Sequence, residues 1–265
     1  MRGRLLSDTV AIITGGGRGI GAAVAGALAQ AGAAVTIAAR TTSEIKRTAE
    51  QIRKAGGEVE AIQTDISDEA QVRRLVQRTI NAFGQIDFLI NCAAVAGPAS
   101  LPVWEADPEA WRQAIEVNLF GVFLTCHAVI PLMLERGAGR ILNVSSGLGE
   151  MVARHTSSYA TSKAGVNHFT RVLAAELQGT GILANAVYPG VVKTELYGET
   201  PGDDAVENHP PILRSAHGVS DVTPLFLWLC STDTAGMSGQ IVRIYDPLVQ
   251  RRIARFERRR VSFVR

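Results

Sequence analysis

Two side chains with complementary acid–base chemistry stand one helical turn apart in this chain. Tyr159 precedes Lys163 by four residues, and residues at that spacing share one face of a helix. A lysine ammonium beside a phenol stabilises the phenolate, so we expect Lys163 to lower the pKa of Tyr159 from its usual value of ~10. Such a phenol donates a proton to a carbonyl oxygen during reduction. The alternative interpretation is a partly buried tyrosine next to a solvated lysine.

A glycine-rich segment near the N-terminus predicts a loop that binds phosphate. Residues 14–21 read Thr-Gly-Gly-Gly-Arg-Gly-Ile-Gly, after the apolar run 10–13 and before a helical pattern over 22–29. Strand, glycine turn and helix in this order form the context of a dinucleotide-binding fingerprint, in which the pyrophosphate sits on the helix N-terminus. Taken alone, the glycines would equally indicate a flexible turn.

With Ser146, thirteen positions before Tyr159, these motifs resemble the short-chain dehydrogenase/reductase family over nearly the whole chain, in particular its NADP-preferring 3-oxoacyl reductase-like members. The matching positions are the loop 14–21, Asn118, Ser146, Tyr159, Lys163 and the Pro-Gly-x-x-x-Thr segment 189–194. Two positions depart from the family pattern. Its Asn-Asn-Ala-Gly motif reads Asn-Cys-Ala-Ala at residues 91–94, and its C-terminal Asp-Gly-Gly reads Asp-Pro-Leu at 246–248.

The resemblance implies a role for each polar residue. Ser146 and Tyr159 would hydrogen-bond to the substrate carbonyl, with Tyr159 as general acid in reduction and general base in oxidation. Lys163 would hold the nicotinamide ribose, and Asn118 would fix a water that links Lys163 to solvent. Asn118 has an alternative role, to patch a bend in its helix. Ser145 is the nearest rival for the serine role, but the thirteen-residue offset selects Ser146.

The end of the predicted second strand bears on the choice of cofactor. The family position for an NAD-selecting Asp is Ala39, which is followed by Arg40. A guanidinium pairs with a 2′-phosphate that a carboxylate would repel, and Arg18 would add a second cation. We therefore expect NADP(H), with NAD(H) less favoured. The alternative is that both arginines are ordinary surface residues.

The resemblance extends the cofactor site to the ends of several strands. Asp65 matches the residue that contacts the adenine edge, and Val192 and Thr194 match positions near the carboxamide. No metal site is expected. The complete predicted cofactor-binding set is Gly15, Gly17, Arg18, Gly19, Ile20, Gly21, Arg40, Asp65, Ile66, Asn91, Ala93, Tyr159, Lys163, Pro189, Gly190, Val192 and Thr194.

Apolar runs of strand length alternate with amphipathic segments along the chain. Seven strands are predicted over residues 10–13, 35–38, 59–62, 88–90, 141–144, 184–187 and 241–244, and helices over 42–55, 69–83, 111–136 and 157–177, among others. This alternation predicts an α/β fold, a doubly wound parallel seven-stranded sheet of Rossmann type with helices on both faces. We expect one dinucleotide-binding and catalytic domain over residues 1–246, with a substrate loop over about 195–218.

Composition narrows the function classes. The chain has 265 residues, 46% hydrophobic and 20% charged, which is typical of a globular protein with a sizeable core. The 6% aromatic content argues against a base-stacking nucleic-acid surface. We see no signal peptide and no window approaching the ~20 apolar residues of a membrane span. Cys92, Cys126 and Cys230 are odd in number and outside any metal spacing, so we expect reduced thiols and a cytoplasmic protein.

The net charge of +2 conceals an arginine-rich extension over residues 247–265. Seven Arg and one Glu give that segment +6, so the remaining chain carries −4. Basic tails bind nucleic acid or acidic membranes in some proteins. We favour instead a short helix that packs Ile253 and Phe256 against the body of the protein or a sister subunit.

The resemblance also implies a small-molecule carbonyl or alcohol substrate and a homo-oligomer, dimer or tetramer, with no membrane partner and no nucleic acid. Family members act on acyl thioesters, steroids, sugars and xenobiotics, and the sequence does not select among them. The alternative function is an NADP(H) sensor that has the fold but no turnover. Because Asn118, Ser146, Tyr159 and Lys163 are all present, we favour the enzyme.

Overall fold

A single parallel sheet organises the fold. The computed structural model describes residues 4–97, 101–196 and 217–264, so most of the predicted substrate loop over 195–218 lies outside the described residues. The strand order is β3-β2-β1-β4-β5-β6-β7, with every pair parallel. The strands are β1 (Val10–Thr14), β2 (Ala34–Ala39), β3 (Val59–Gln63), β4 (Phe88–Asn91), β5 (Gly139–Val144), β6 (Ile182–Tyr188) and β7 (Ile241–Arg243). This confirms the predicted doubly wound sheet.

Helices connect the strands and cover both faces of the sheet. They are α1 (Gly19–Gln30), α2 (Thr42–Lys54), α3 (Glu69–Phe83), α4 (Pro108–Ile115), α5 (Gly121–Arg136), α6 (Ser157–Glu176), α7 (Thr223–Cys230) and α8 (Pro247–Val264). The helix predicted over 111–136 begins earlier, at Pro108. A π-type turn at Glu116–Phe120 joins α4 to α5. Helix α7 was not predicted separately.

The sheet separates two hydrophobic cores, so strands such as β1 are buried along their whole length. On one side, Leu28 of α1, Ile45 of α2 and Phe226 of α7 belong to the first core. On the other, Leu75 of α3 and Val129 of α5 belong to the second. With both faces covered, the chemistry is confined to the sheet's edges, where the strand ends meet loops.

The long helix Pro108–Arg136 corrects one expectation from the sequence. An 18-residue window of it has a mean hydropathy of 1.9, so by length and composition it could cross a membrane. Half of that window is buried inside the fold, and Val122 and Met133 pack in the second core. The expectation that no window approaches a membrane span was therefore wrong. The physical reason is that a helix buried within a core is apolar on most of its sides.

The arginine-rich extension forms helix α8, in agreement with the predicted helix. Phe256 is buried, and Ile253 and Val249, one and two turns before it, pack against the first core. Arg259 forms an ion pair with Asp233, and Arg251, Arg252, Arg255 and Arg258 are exposed. The extension is thus joined to the main domain by its apolar face, with its charges turned outward.

Phe256→Ala should lower the free energy of unfolding by about 3 kcal/mol, because it removes a buried ring and leaves a cavity beneath α8. Arg255→Ala, one position earlier on the exposed side, is the matched control and should change stability by less than about 0.5 kcal/mol. Urea denaturation of both variants measures the difference. Equal stability of the two would show that α8 contributes nothing to the core.

Candidate active site

Helix α6 and the turn after β5 bring the two predicted hydroxyl groups together. Ser146 follows β5 and begins a tight turn over residues 146–150, the serine turn, in which its Oγ accepts a hydrogen bond from the Leu148 amide at 3.2 Å. Its hydroxyl lies close enough to the Tyr159 phenol on α6 to lower the pKa of that phenol. Ser145 points the other way and is buried, with its hydroxyl 3.5 Å from the Lys163 carbonyl. The geometry therefore favours Ser146 over Ser145 for the serine role.

Lys163 lies beneath this hydroxyl pair as a buried cation. Its side chain is 2% exposed, and its Nζ donates to the Val144 carbonyl at 2.9 Å. The same nitrogen lies 5.6 Å from the centroid of the Tyr159 ring. Burial lowers the pKa of Lys163 to about 8, partly opposed by the nearby Cys92 thiol. The ammonium form still predominates at neutral pH.

The pKa of Tyr159 departs from the expectation. Burial raises it to about 12, and the nearby Ser146 hydroxyl offsets that rise only in part. The predicted depression by Lys163 was therefore wrong for the protein groups alone, because desolvation of the phenolate exceeds the stabilisation around it. The i, i+4 pairing is present, but the ammonium lies over the ring face and is held by Val144.

Asn118 lies in the π-type turn between α4 and α5 and is fully buried. Its Oδ1 accepts from the Val95 amide at 2.8 Å, and its Nδ2 donates to the Val95 carbonyl at 2.9 Å and to Ser162 Oγ at 3.1 Å. The side chain therefore ties the loop after β4 to the helix that carries Tyr159. This is closer to the structural alternative, although π-type turns are frequent at functional sites.

The glycine loop comes very close to neighbouring backbone. Gly15 has φ +67°, and a Cβ there would lie 2.8 Å from the Ala93 nitrogen. A Cβ on Gly21 would lie 2.3 Å from the Gly15 carbonyl oxygen. Thr14 Oγ1 accepts from the amides of Cys92 and Ala93, both at 3.2 Å, which fixes the loop to the end of β4. Side chains at Gly15 and Gly21 would disrupt this packing.

A groove opens above this loop along the carboxyl edge of the sheet. Eleven predicted cofactor residues line it: Gly15, Gly17, Arg18, Gly19, Ile20, Gly21, Arg40, Asp65, Ile66, Ala93 and Thr194. Asp65 is held by Ser67, whose amide and hydroxyl donate to its Oδ1 at 3.0 and 2.6 Å. The glycine loop, the ends of β2 and β3 and the segment after β6 thus meet at one groove.

Some predicted cofactor residues do not line the groove formed by the described residues. Asn91 is buried, donating to Asn143 Oδ1 at 2.9 Å and accepting from Thr125 at 2.8 Å. Pro189 and Val192 are buried, and Val192 belongs to the first core. Gly190 has φ +81° and lies against His217. These four residues, like Tyr159 and Lys163, do not line the groove.

The two arginines predicted to select the cofactor have different surroundings. Arg40 is exposed at the rim of the groove. Arg18 lies within 3.9 Å of Glu44, which also lines the groove. The sequence analysis did not single out Glu44, because it lies five residues after the end of β2. Its carboxylate offsets part of the charge of Arg18 and leaves Arg40 as the stronger candidate for a phosphate contact.

Other residues at the site were also missed. Ser162 Oγ accepts a hydrogen bond from Asn118 Nδ2, and its hydroxyl donates one to the Tyr159 carbonyl at 2.7 Å. Cys92 lines the groove, and burial raises the pKa of its thiol to about 12. Cys92 stands in the Asn-Cys-Ala-Ala motif between two predicted cofactor residues, but the sequence analysis assigned it no role. The contact of Ser162 with Asn118 joins positions 44 residues apart, which spacing along the chain does not reveal.

The groove fits the pyrophosphate of a dinucleotide. The N-terminus of α1 begins after Arg18 with no side-chain cap and no acidic residue in its first turn, so its free amides attract an anion. The missing Cβ atoms at Gly15 and Gly21 leave the backbone accessible there. Within the described ranges, no group of three or more His, Cys, Asp or Glu side chains is placed to hold a metal ion.

Known proteins similar to this chain point to one family. The family model described as short chain dehydrogenase matches residues 9–204. A cis-4-hydroxycyclohexanecarboxylate dehydrogenase from Sinomonas cyclohexanicum is 39% identical over 246 residues, covering 91% of this chain and 97% of that protein. These matches include the glycine loop, the serine turn and α6.

Two solved structures resemble this chain over most of its length. Levodione reductase superposes with a TM-score of 0.85 at 29% identity, covering 92% of this chain and 99% of that one. A variant of actinorhodin polyketide ketoreductase, solved with NADPH, has a TM-score of 0.81 at 30% identity, covering 89% and 95%. Both likenesses cover the main sheet and its helices.

Lys163→Met should remove a pH-dependent cost of folding. In the folded protein the pKa of Lys163 is about 8, below the usual 10.5. The free-energy cost of burying the charged ammonium is therefore fully present below pH 8. It is relieved as pH rises to 10.5, because the folded state loses the proton first. The stability of the wild type relative to Lys163→Met should rise by about 3 kcal/mol over this interval.

Chemical denaturation at several pH values between 7 and 10.5 measures this difference. Lys46→Met, at an exposed position of α2, is the control and should show no comparable change. A constant difference between wild type and Lys163→Met across this pH range would contradict the buried, depressed ammonium.

Proposed function

The chain belongs to the short-chain dehydrogenase/reductase family, and on that basis we propose that it is an NADP(H)-dependent oxidoreductase acting on a carbonyl or alcohol. The observation that supports this most directly is that the Ser146 and Tyr159 hydroxyls lie close together, beside the buried Lys163 ammonium. This group follows β5, at the same edge of the sheet as the glycine groove. A proton donor and a cofactor groove at one edge are what carbonyl reduction requires.

The proposed chemistry divides between cofactor and protein. When bound, the nicotinamide supplies the hydride for reduction or accepts it in oxidation. In reduction, the hydride forms the new C–H bond at the carbonyl carbon, and the carbonyl oxygen takes the proton of the Tyr159 hydroxyl. Ser146 donates a hydrogen bond to the same oxygen and stabilises the charge that develops there. Oxidation of the alcohol runs through the same groups in reverse.

The three N–H donors of the Lys163 ammonium suit it to bind both the cofactor and a proton path. An ammonium has three N–H donors, and the Val144 carbonyl takes one of them. We assign the other two to the ribose hydroxyls of the nicotinamide and to a proton path. Since the Asn118 side chain is committed to Val95 and Ser162, a relay water at Asn118 would bind the backbone of the π-type turn.

The preference for NADP(H) rests on Ala39 and Arg40 at the end of β2. Ala39 lines the groove where a carboxylate would repel a 2′-phosphate, and Arg40 lies at its rim. The polyketide ketoreductase structure with NADPH is consistent with this preference. Glu44 weakens the contribution of Arg18, so the discrimination is assigned to Arg40.

The proposed assembly is a homo-oligomer formed through α5 and α6. Phe120 and Phe123 are 47% and 41% exposed and stack at 5.7 Å, and Phe123 also contacts the Phe169 ring edge-on. An exposed aromatic surface of this kind is typical of a protein interface. The mass of the purified chain in solution tests this assembly. We place the protein in the cytoplasm, in line with its three free cysteines.

A panel of ketones and alcohols tests the function, with NADPH, NADP⁺, NADH and NAD⁺ followed at the nicotinamide absorbance band. Turnover of at least one substrate pair in both directions is expected. Tight cofactor binding without turnover across the panel would favour the sensor.

Tyr159→Phe should lower kcat by about 10³-fold, because it keeps the ring and removes only the proton donor. Binding of NADPH, measured by its fluorescence, should remain within a few-fold of the wild type. That measurement serves as the internal control for folding. Near-normal turnover in this variant would exclude Tyr159 as the acid.

Arg40→Glu should weaken NADPH binding by about 10²-fold while leaving NADH binding nearly unchanged, since a carboxylate would then face the 2′-phosphate. The matched control is Arg47→Glu, an equal charge change at an exposed residue of α2 that does not line the groove. Dissociation constants for both cofactors give the ratio. Equal losses for NADPH and NADH would assign the 2′-phosphate elsewhere.

A further inference from the structure

Tyr188 is a third hydroxyl beside the Ser146–Tyr159 pair. It is the last residue of β6, whose Val187 pairs in register with Val144 of β5. The Val187 carbonyl accepts from the Ser145 amide at 2.7 Å. The two strands therefore end side by side, and Tyr188 emerges next to the serine turn.

The hydroxyl of Tyr188 lies directly against the serine turn. A Cβ built on Gly147 would come within 2.4 Å of the Tyr188 hydroxyl oxygen, so only a glycine after Ser146 leaves room for it. The Tyr159 phenol is close enough to contribute to the raised pKa of Tyr188. Three hydroxyl groups, on Ser146, Tyr159 and Tyr188, thus converge at one edge of the sheet.

The surrounding structure holds the Tyr188 ring in place. Tyr188 is 3% exposed, and the Tyr245 ring packs edge-to-face on it at 5.1 Å and 85°. Arg243 at the end of β7 forms a two-point ion pair with Glu150 of the serine turn. The ring and the turn are therefore fixed relative to each other, as a binding group must be.

The Tyr188 hydroxyl makes no hydrogen bond to any of the described residues, yet it is not among the fully occluded polar atoms. A largely buried hydroxyl without a partner is destabilising, so a ligand oxygen that pairs with it is favoured. Burial and the neighbouring Tyr245, Tyr159 and Glu150 raise its pKa well above the usual value, so it remains protonated and can both donate and accept.

We propose that Tyr188 is a second polar contact for the substrate, which hydrogen-bonds to an oxygen one or two carbons from the reacting carbonyl. The inference rests on the proposed function and specifies its substrate class as hydroxy-ketones and related oxygenated carbonyl compounds. Tyr159 and Ser146 bind the reacting oxygen, and Tyr188 binds the neighbouring one. A substrate without that oxygen leaves the Tyr188 hydroxyl unsatisfied, and this is the basis of selectivity.

The test compares cyclohexanone with 2-hydroxycyclohexanone and 3-hydroxycyclohexanone in the wild type and in Tyr188→Phe. The variant keeps the ring against Tyr245 and removes only the hydroxyl. Tyr245→Phe, which removes a hydroxyl from the adjacent and more exposed ring, is the matched control. We expect Tyr188→Phe to lower kcat/KM about 10- to 100-fold for at least one hydroxy-ketone. Its kcat/KM for cyclohexanone should change by less than about three-fold, and Tyr245→Phe should not separate the substrates.

An equal loss for all three ketones would overturn the proposal, because it would mean that Tyr188 serves the reacting carbonyl or the fold. No loss for either hydroxy-ketone would overturn it as well. If the wild type reduces none of the three, the proposed function fails for these substrates, and binding decides the inference. Calorimetric titration of the ketones into the NADP⁺-loaded protein should then show a hydroxy-ketone preference that Tyr188→Phe abolishes, and its absence would refute the proposal.

Discussion

The buried hydrogen bond from the Lys163 ammonium to the Val144 carbonyl fixes the geometry of the site. It joins α6 to the end of β5. Tyr159 lies one turn earlier on that helix, and Ser146 lies two residues after Val144. The Lys163–Val144 hydrogen bond therefore positions the Tyr159 phenol close to the Ser146 hydroxyl. A charged donor to a buried carbonyl contributes about 1.5–3 kcal/mol. The lowered pKa of Lys163 shows that burying the cation also has a cost, and the fold nevertheless retains this charge beside the Tyr159 ring.

A network of buried polar side chains supports this contact from below. Asn91 of β4 bonds Asn143 of β5 at 2.9 Å, and Asn143 bonds Thr170 of α6 at 3.0 Å. Thr125 of α5 completes the set at 2.8 Å from Asn91. Because each buried group has a partner, the network ties two strands to two helices without an unsatisfied polar atom. This explains why Asn91 faces the interior and leaves the groove to the backbone beside it.

Absent side chains matter as much as present ones along this edge. In the glycine loop, the absence of side chains at Gly15 and Gly21 lets the loop pack against Ala93 and against itself, which leaves the amides at the start of α1 accessible. In the serine turn, Gly147 makes room for the Tyr188 hydroxyl, and a Cβ on Gly149 would lie 2.9 Å from the Lys163 carbonyl. Close backbone packing at these glycines thus brings accessible helix amides and a cluster of hydroxyls to one edge of the sheet.

The seven strands of a doubly wound parallel sheet, the glycine loop and the placing of Tyr159 and Lys163 on one helix could all be predicted from the sequence. Each depends on local periodicity or on a motif whose residues are near one another in the chain. Tertiary packing decided the rest. The pairing of Glu44 with Arg18, the inward turn of Asn91, the commitment of the Asn118 amide to Val95 and the position of Tyr188 over Gly147 all join segments far apart in sequence. The direction of the Tyr159 pKa also depended on burial, which spacing does not reveal. A motif determines which groups are present, but only the packed structure determines how much water, charge and hydrogen bonding each group retains.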